Sequence, residues 1–282
     1  MNETDRNHYL KFFPSLNIKY AVDDNNSLSA ELSRRIKRPD YRLLNPFRWY
    51  TSKFDYSVGD PFLKPAYISN AALTYMHGYD FYVKLYGSKT SDDFGNMVVF
   101  DKNDVRSQIE KAGNYLDIYE YGVDAEYSVQ CGSWLEATLS GQLTYSSYNS
   151  NSTSFDDVCG WGCGLSADCH FYISRNFSAS LSVEDDVPGY YDYRRRNNAM
   201  NFNCGISYTN SKKDFSVMLN AEDLFRTSSP KYYYYSNGVR QDFNNYNDTQ
   251  LVSVTVIKKF GNLFNKIKNM FESSNKEEKS RL

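Results

Sequence analysis

Apolar residues recur at every second position in one segment after another of this chain, a spacing that puts one face of a β-strand in an apolar environment and the other in a polar one. Leu16, Ile18, Tyr20 and Val22 oppose Asn17 and Lys19; Tyr121, Val123, Ala125, Tyr127 and Val129 oppose Glu120, Asp124 and Glu126. Leu135, Ala137, Leu139, Leu143 and Tyr145 oppose Glu136, Thr138, Ser140 and Gln142. Phe177 to Val183 sets four apolar residues against three serines, and Phe202–Tyr208, Phe215–Leu219 and Val252–Val256 continue the series.

The connections alternate in length. Short turns are read at Asp23–Asn26, His77–Asp80, Gln130–Ser133, Ser174–Asn176 and Ser211–Asp214. Long polar loops are expected at Arg34–Pro65, Ser88–Asn114, Ser147–Asp157, Val187–Asn198 and Arg226–Thr249. Short turns on one side and long loops on the other are the habit of transmembrane β-barrels. Aromatic residues make up 17% of the chain, yet mean hydropathy is −0.65, so the bulk is polar, as strands with one lipid-facing side require. Tyr20, Tyr75, Phe81, Tyr127, Phe171, Phe177, Tyr208, Phe215 and Phe260 fall near the short-turn ends, where a ring can sit half in lipid and half in water. No run is long and apolar enough for a transmembrane helix, and a net charge of −2 offers no electrostatic case for nucleic acid.

The predicted fold is therefore all-β: antiparallel transmembrane β-barrel strands with short periplasmic turns and long extracellular loops, located in a bacterial outer membrane. Five strand pairs and a final strand make about eleven. An odd count that enters from the outside is expected of the C-terminal part of a larger barrel, since single-chain bacterial barrels have even strand numbers. Met1–His8 shows no export signal, which fits the same expectation. Residues 1–262 are assigned to the barrel and 263–282 to a tail, in which Leu263, Phe264, Ile267, Met270 and Phe271 have the spacing of a short amphipathic helix before a polar end.

Two segments, Arg34–Tyr50 (RRIKRPDYRLLNPFRWY) and Tyr56–Tyr67 (YSVGDPFLKPAY), resemble motifs of the outer-membrane β-barrel family of TonB-dependent-receptor-like proteins common in Bacteroidetes. Leu219–Phe225 (LNAEDLF) and Gln250–Gly261 (QLVSVTVIKKFG) resemble its closing strands. The resemblance implies a larger barrel with an N-terminal plug, part of a receptor that binds and imports a ligand through the TonB complex. Its partners would be outer-membrane lipid and lipopolysaccharide, the missing N-terminal barrel half and plug, and TonB by way of that plug. The ligand class stays open among glycan, peptide and chelate. An incomplete or structural barrel without transport, and a secreted Tyr-rich β-adhesin, are the alternatives. The tail after Phe260 departs from barrels that end on a terminal aromatic.

No catalytic residue, cofactor or metal site is expected. Glu120, Asp124, Glu126 and Glu136 read as polar lining, and Glu184–Asp186 as a solvated strand end rather than a calcium site, which needs about six converging oxygens. The three histidines lack triad partners. Cys159, Cys163 and Cys169 share a face with Trp161, Leu165 and Phe171 and read as small apolar residues. Gly160, Gly162 and Gly164 are expected to point inward and leave room for a plug or ligand. The candidate ligand-binding residues are aromatic, Arg and Asn side chains of the extracellular loops: Arg38, Tyr41, Asn45, Phe47, Trp49, Tyr50, Tyr190, Tyr191, Tyr193, Arg195, Tyr233 and Tyr235. Such platforms suit stacking on glycans or peptides; packing between loops is the competing role. Arg34, Arg35 and Arg38 are candidates for clamping lipopolysaccharide phosphates.

Overall fold

The computed structural model describes residues 11–100, 108–152, 155–236, 238–244 and 246–260. The predicted tail at 263–282 lies outside them. The strands are β1 (Ser15–Ala21), β2 (Asn26–Lys37), β3 (Trp49–Tyr50), β4 (Tyr56–Val58), β5 (Ala66–His77), β6 (Phe81–Phe100), β7 (Gln108–Cys131), β8 (Leu135–Ser150) and β9 (Val158–Tyr172). There follow β10 (Phe177–Val187), β11 (Gly189–Tyr191), β12 (Arg194–Arg196), β13 (Ala199–Thr209), β14 (Phe215–Glu222), β15 (Lys231–Ser236), β16 (Val239–Asn244) and β17 (Leu251–Lys258). One short helix, α1 (Tyr41–Leu44), lies between β2 and β3.

The wall is a single antiparallel path of eleven strands, β1-β2-β5-β6-β7-β8-β9-β10-β13-β14-β17, each beside its neighbour in sequence. Tight turns hold the register. Asp23 Oδ1 accepts the backbone N–H of Asn25 and of Asn26 at 2.8 Å, and Asn210 Oδ1 accepts those of Asp214 and Phe215. Gly78 and Gly132 sit at φ +56° and +59°, where a side chain would be strained.

Register turns sequence alternation into two chemically opposite faces. One outward row runs Leu16, Leu32, Ala71, Gly87, Tyr121, Tyr145, Trp161. The inward row beside it runs Tyr86, Gly122, Thr144, Gly162. The outward apolar side chains are bare: Trp161 is 58% exposed, Leu165 54% and Val254 66%. A face of this extent would be an aggregation surface in water and costs nothing against hydrocarbon. Near the short turns Tyr75 meets Phe81, Phe81 meets Tyr127, and Phe177 meets Tyr208 at 4.9 Å, forming the expected aromatic girdle. Cys131, Cys159, Cys163, Cys169 and Cys204 are free thiols. Cys159, Cys163 and Cys169 lie on one strand, β9.

The buried core lies where the wall strands end far from the short turns, between Tyr115 and Leu116 of β7, Tyr148 of β8 and the long connections. Tyr115, Leu116, Tyr148, Phe155, Tyr193 and Tyr234 form it. Ring contacts link Tyr115 to Phe155 (5.3 Å), Phe155 to Tyr193 (5.8 Å), and Tyr193 to both Tyr148 and Tyr234.

Four loop expectations need correction. The segment Ser88–Asn114 is mostly strand: β6 and β7 stay paired up to Phe100 and Gln108, with a bulge at Thr90–Asp93. Beyond the lipid a strand needs no outward apolar stripe, so its sequence turns polar while its hydrogen bonds continue. Val187–Asn198 and Arg226–Thr249 each contain a hairpin, and the two join as a second sheet, β11-β12-β15-β16. Arg34–Pro65 carries the end of β2, helix α1 and the β3–β4 pair, with β4 running parallel to β7.

Candidate functional site

The two family-like motifs of the Arg34–Pro65 segment are built to lock onto each other. Asp40 caps α1 by accepting the Leu43 N–H at 2.9 Å, and Asn45 Oδ1 accepts the Phe47 N–H. Gly59 donates its N–H to the Asn45 carbonyl and Asp60 to that of Leu43. A Cβ on Gly59 would lie 2.5 Å from both carbonyl oxygens, so only glycine admits this approach. Asn114 of β7 then fastens the second motif, donating to the carbonyls of Lys64 and Asp92 while accepting the Lys64 N–H at 2.8 Å. On this frame Tyr41 is 85% exposed, Phe47 packs edge-on against Trp49 at 5.5 Å, and Tyr50 leans on Tyr56 with the Arg48 guanidinium 4.9 Å above it. Arg38 is exposed just past β2.

A second group stands on the loop sheet. Arg195 lies 5.7 Å over Tyr190 and is the register partner of Tyr233. Arg240 lies 3.9 Å over Tyr233, and Tyr233 meets Tyr235 at 6.1 Å. These planar cation–ring stacks resemble what would hold a flat or polyhydroxylated ligand. No ring contact joins this group to the Phe47–Trp49 pair among the described residues.

Tyr191 and Tyr193 are placed differently. The Tyr191 hydroxyl shares its one proton between the carbonyls of Cys163 and Val187 and accepts the Cys163 N–H at 3.0 Å. Tyr193 is 3% exposed, with its hydroxyl on the Asp156 carbonyl at 2.7 Å, and burial pushes its phenol well above the ordinary range. Burial likewise pushes Tyr115 up to about 12. These rings pack the loops together.

The glycine run on β9 also differs from expectation. The space over Gly160 and Gly162 is filled by the chain itself: a Cβ on Gly160 would lie 2.3 Å from the Tyr190 ring, and one on Gly162 3.0 Å from the Tyr190 carbonyl. Gly189 returns the fit, lying against Trp161 and Gly162 backbone. The glycines thus let the β11–β12 hairpin fold onto the inner wall.

Beneath that hairpin lies a cleft of about 410 Å³. Its floor is the inward row Lys84, Asp124, Gln142, Gly164, Asp186. Tyr86 lies across Gly122, bonding to Thr144 Oγ1 at 2.6 Å and accepting from Gln142 at 3.1 Å. Arg196 reaches down to Asp186 at 2.6 Å. Glu120 and Asp192 add negative charge at the rim, and one oxygen of Asp124 is buried without a partner. A second cleft of about 400 Å³ follows toward the short turns, lined by Tyr82, Glu126, Ser140, Ser166 and Glu184. The inner face is thus polar and acidic. Asp185 accepts from Asn198 and Asp186 pairs with Arg196, so two carboxylates of the 184–186 run have protein partners. Lys84, Tyr86, Gln142 and Arg196 are not among the candidate ligand-binding residues read from sequence, although the alternation of β6 and β8 marks the first three as inward.

A model of an outer membrane protein β-barrel family matches residues 1–257. No curated protein sequence matches the chain. Among solved structures, the siderophore receptor PirA from Pseudomonas aeruginosa superposes with a TM-score of 0.59 at 18% identity, over 83% of this chain and 42% of the receptor. A ferric enterobactin receptor (PfeA) from the same organism gives 0.54 at 15% identity, over 86% of this chain and 39% of its own length. The chain therefore spans about two-fifths of the receptors whose fold it shares.

Proposed function

Because the chain belongs to this outer membrane β-barrel family and lies in the bacterial outer membrane, we propose that it forms part of a TonB-dependent receptor, supplying eleven wall strands and the extracellular cap that receives a ligand. The observation that carries this reading is the folding of four long connections into one cap over a polar inner face with clefts of about 410 and 400 Å³. A purely structural barrel has no use for ordered loops that turn inward. Its role is binding and passage rather than catalysis.

The edges of the wall support completion by further strands. Among the described residues β1 pairs only with β2, and β17 only with β14. Unpaired edges in lipid strand backbone polar groups without partners. Both edge strands run toward the short turns, so antiparallel closure needs an odd number of further strands, the first and last running outward. A second copy of this chain would meet β17 with a parallel β1; a distinct half-barrel fits both seams. A plug held against the acidic inner face would then couple the pore to TonB. The aromatic–Arg groups of the two loop regions, exposed Arg38, Tyr41, Phe47, Trp49 and Tyr50 with exposed Arg195 and Tyr235 and half-buried Tyr190 and Tyr233, are the proposed ligand contacts, on frames set by Asn45, Tyr191 and Tyr193.

Uptake by cells carrying the whole receptor tests this. Three labelled probes are offered: ferric enterobactin, an oligosaccharide and an oligopeptide. Accumulation of one, abolished when the proton gradient is collapsed and reduced by Trp49→Ala or Arg240→Ala, is expected. No accumulation of any probe by protein that is folded and present in the outer membrane would favour a barrel without transport.

A further inference from the structure

On the lipid-facing side of the wall, a groove of about 580 Å³ crosses the first strands. Its floor is made of small residues: Ala71 and Gly87 are register partners, flanked by Leu32 on one side and Tyr121 on the other. Leu16 extends the wall beyond Leu32. Two residues further from the short turns, the next outward row holds Arg34, Ser69, Lys89 and Tyr119. From the girdle position at Leu28 to Arg34 is six residues along β2, roughly 15 Å of height on a tilted strand. In an apolar band about 25 Å tall, that is the outer-leaflet half.

Two cations therefore stand on the lipid face at the head of an apolar groove, and no acidic residue lines it. Arg34 has no ion pair among the described residues; its guanidinium lies 5.6 Å over Tyr67 and its Nε is buried without an acceptor. Lys11 sits 5.2 Å over the same ring, adding a third positive charge. Lys89 rests 5.0 Å over Tyr119. Glu120, beside Tyr119 on β7, has the opposite parity and lines the inner cleft; Asp117, on the outward side, acts on Lys89 through its charge but is engaged by the Asp92 N–H at 2.8 Å and the Asn151 amide. Arg35, the neighbour of Arg34, has the opposite parity and faces inward with Glu31 and Tyr86, so it belongs to another environment. Cations on a lipid face are unfavourable unless an anion meets them, and among the described residues no carboxylate forms an ion pair with Arg34 or Lys89.

We propose that this groove binds one anionic lipid of the outer leaflet, with an acyl chain along the Ala71–Gly87 floor and its phosphate held between Arg34 and Lys89. The two cations are separated by a single intervening strand, about 10 Å across the sheet, a span that both long side chains close around a phosphate. The assignment rests on the wall facing lipid and is independent of the transport reading.

The test uses the whole protein purified from the outer membrane in detergent and titrated with lipid under native mass spectrometry. Phosphatidylglycerol should bind more tightly than phosphatidylcholine of the same chains. Arg34→Gln and Lys89→Gln should each weaken phosphatidylglycerol about fivefold, and together about 25-fold. Arg34→Lys should retain binding, and Lys212→Gln in a short turn should change nothing. Ala71→Leu, which fills the floor, should weaken the lipid without touching either cation. Folding of each variant is checked by heat-dependent gel mobility. Equal binding of the two lipids, or full retention by the folded double variant, overturns the proposal. So does displacement of the lipid by inorganic phosphate with no effect of Ala71→Leu, which would mean a site for phosphate alone.

Discussion

The wall and the cap use the same residue types in opposite ways. In the wall, Trp161, Leu165 and Val254 are more than half exposed, and backbone pairing across eleven strands defines the structure. In the cap, Tyr148, Tyr193 and Tyr234 are almost fully buried, and side-chain packing holds together hairpins only three to six residues long per strand. The wall is ordered by hydrogen bonds that hydrocarbon makes obligatory. The cap is ordered as a small water-soluble domain is, by removing rings from water. A lipid environment therefore stabilises one region and has little bearing on the other, and the two should respond separately to substitution.

The largest expected effect is in the cap. Tyr193→Ala removes a buried ring in contact with three others, Tyr148, Phe155 and Tyr234, and a hydroxyl bond to Asp156, at a cost of about 3–5 kcal/mol to local stability. Hydrogen exchange should accelerate in β11, β12, β15 and β16 and stay slow in β8 and β9; loss of protection across the wall as well would show that the regions are not separate. Next is the wall. Leu165→Arg puts a charge near mid-height on the lipid face and should cost about 2–4 kcal/mol. Unfolding titrations in lipid vesicles should show the loss, with cap protection unchanged.

A smaller effect is expected where the regions meet. Gly160→Val drives a side chain into the Tyr190 ring, and displacement of the β11–β12 hairpin should cost about 1–3 kcal/mol. Limited proteolysis at Arg194–Arg196 should speed up while the barrel stays folded; an unchanged rate would mean that the hairpin is held elsewhere. The smallest concerns Asp223, which is 1% exposed and accepts the N–H groups of Thr227 and Ser228 and the hydroxyls of Ser228 and Thr249. Burial raises its pKa, but these four donors outweigh it and the net direction is down. A lowered folded pKa gives stability that is present above the unfolded value, near pH 4, and lost as pH falls through the folded one. Asp223→Asn should cost about 1 kcal/mol at neutral pH and flatten the acid limb of the stability curve; an acid limb unchanged by the substitution would exclude Asp223 as its source.

Much of the wall was legible because lipid leaves few choices. The five short turns, the eleven-strand count and the inward set Glu120, Asp124 and Glu126 follow from period-2 alternation, which a one-residue slip would invert. The cap was not legible in the same way. Ser88–Asn114 loses the outward apolar stripe once it leaves the lipid, and so reads as a loop while remaining strand. The roles of Tyr191 and Tyr193 were equally hidden: as sequence, they belong with Tyr190 and Tyr233 as one aromatic surface.

What the sequence by itself determined is the wall, its two faces and its sidedness, because a strand between lipid and water must alternate and a short turn must carry its own hydrogen-bond acceptors. What only the tertiary structure decided is which aromatic rings are buried and which are free, that Gly160 and Gly162 admit this chain's own hairpin, and that Arg34 and Arg35 face different solvents with Lys89 beside the first. Those outcomes depend on contacts between residues far apart in sequence, and no local period encodes them.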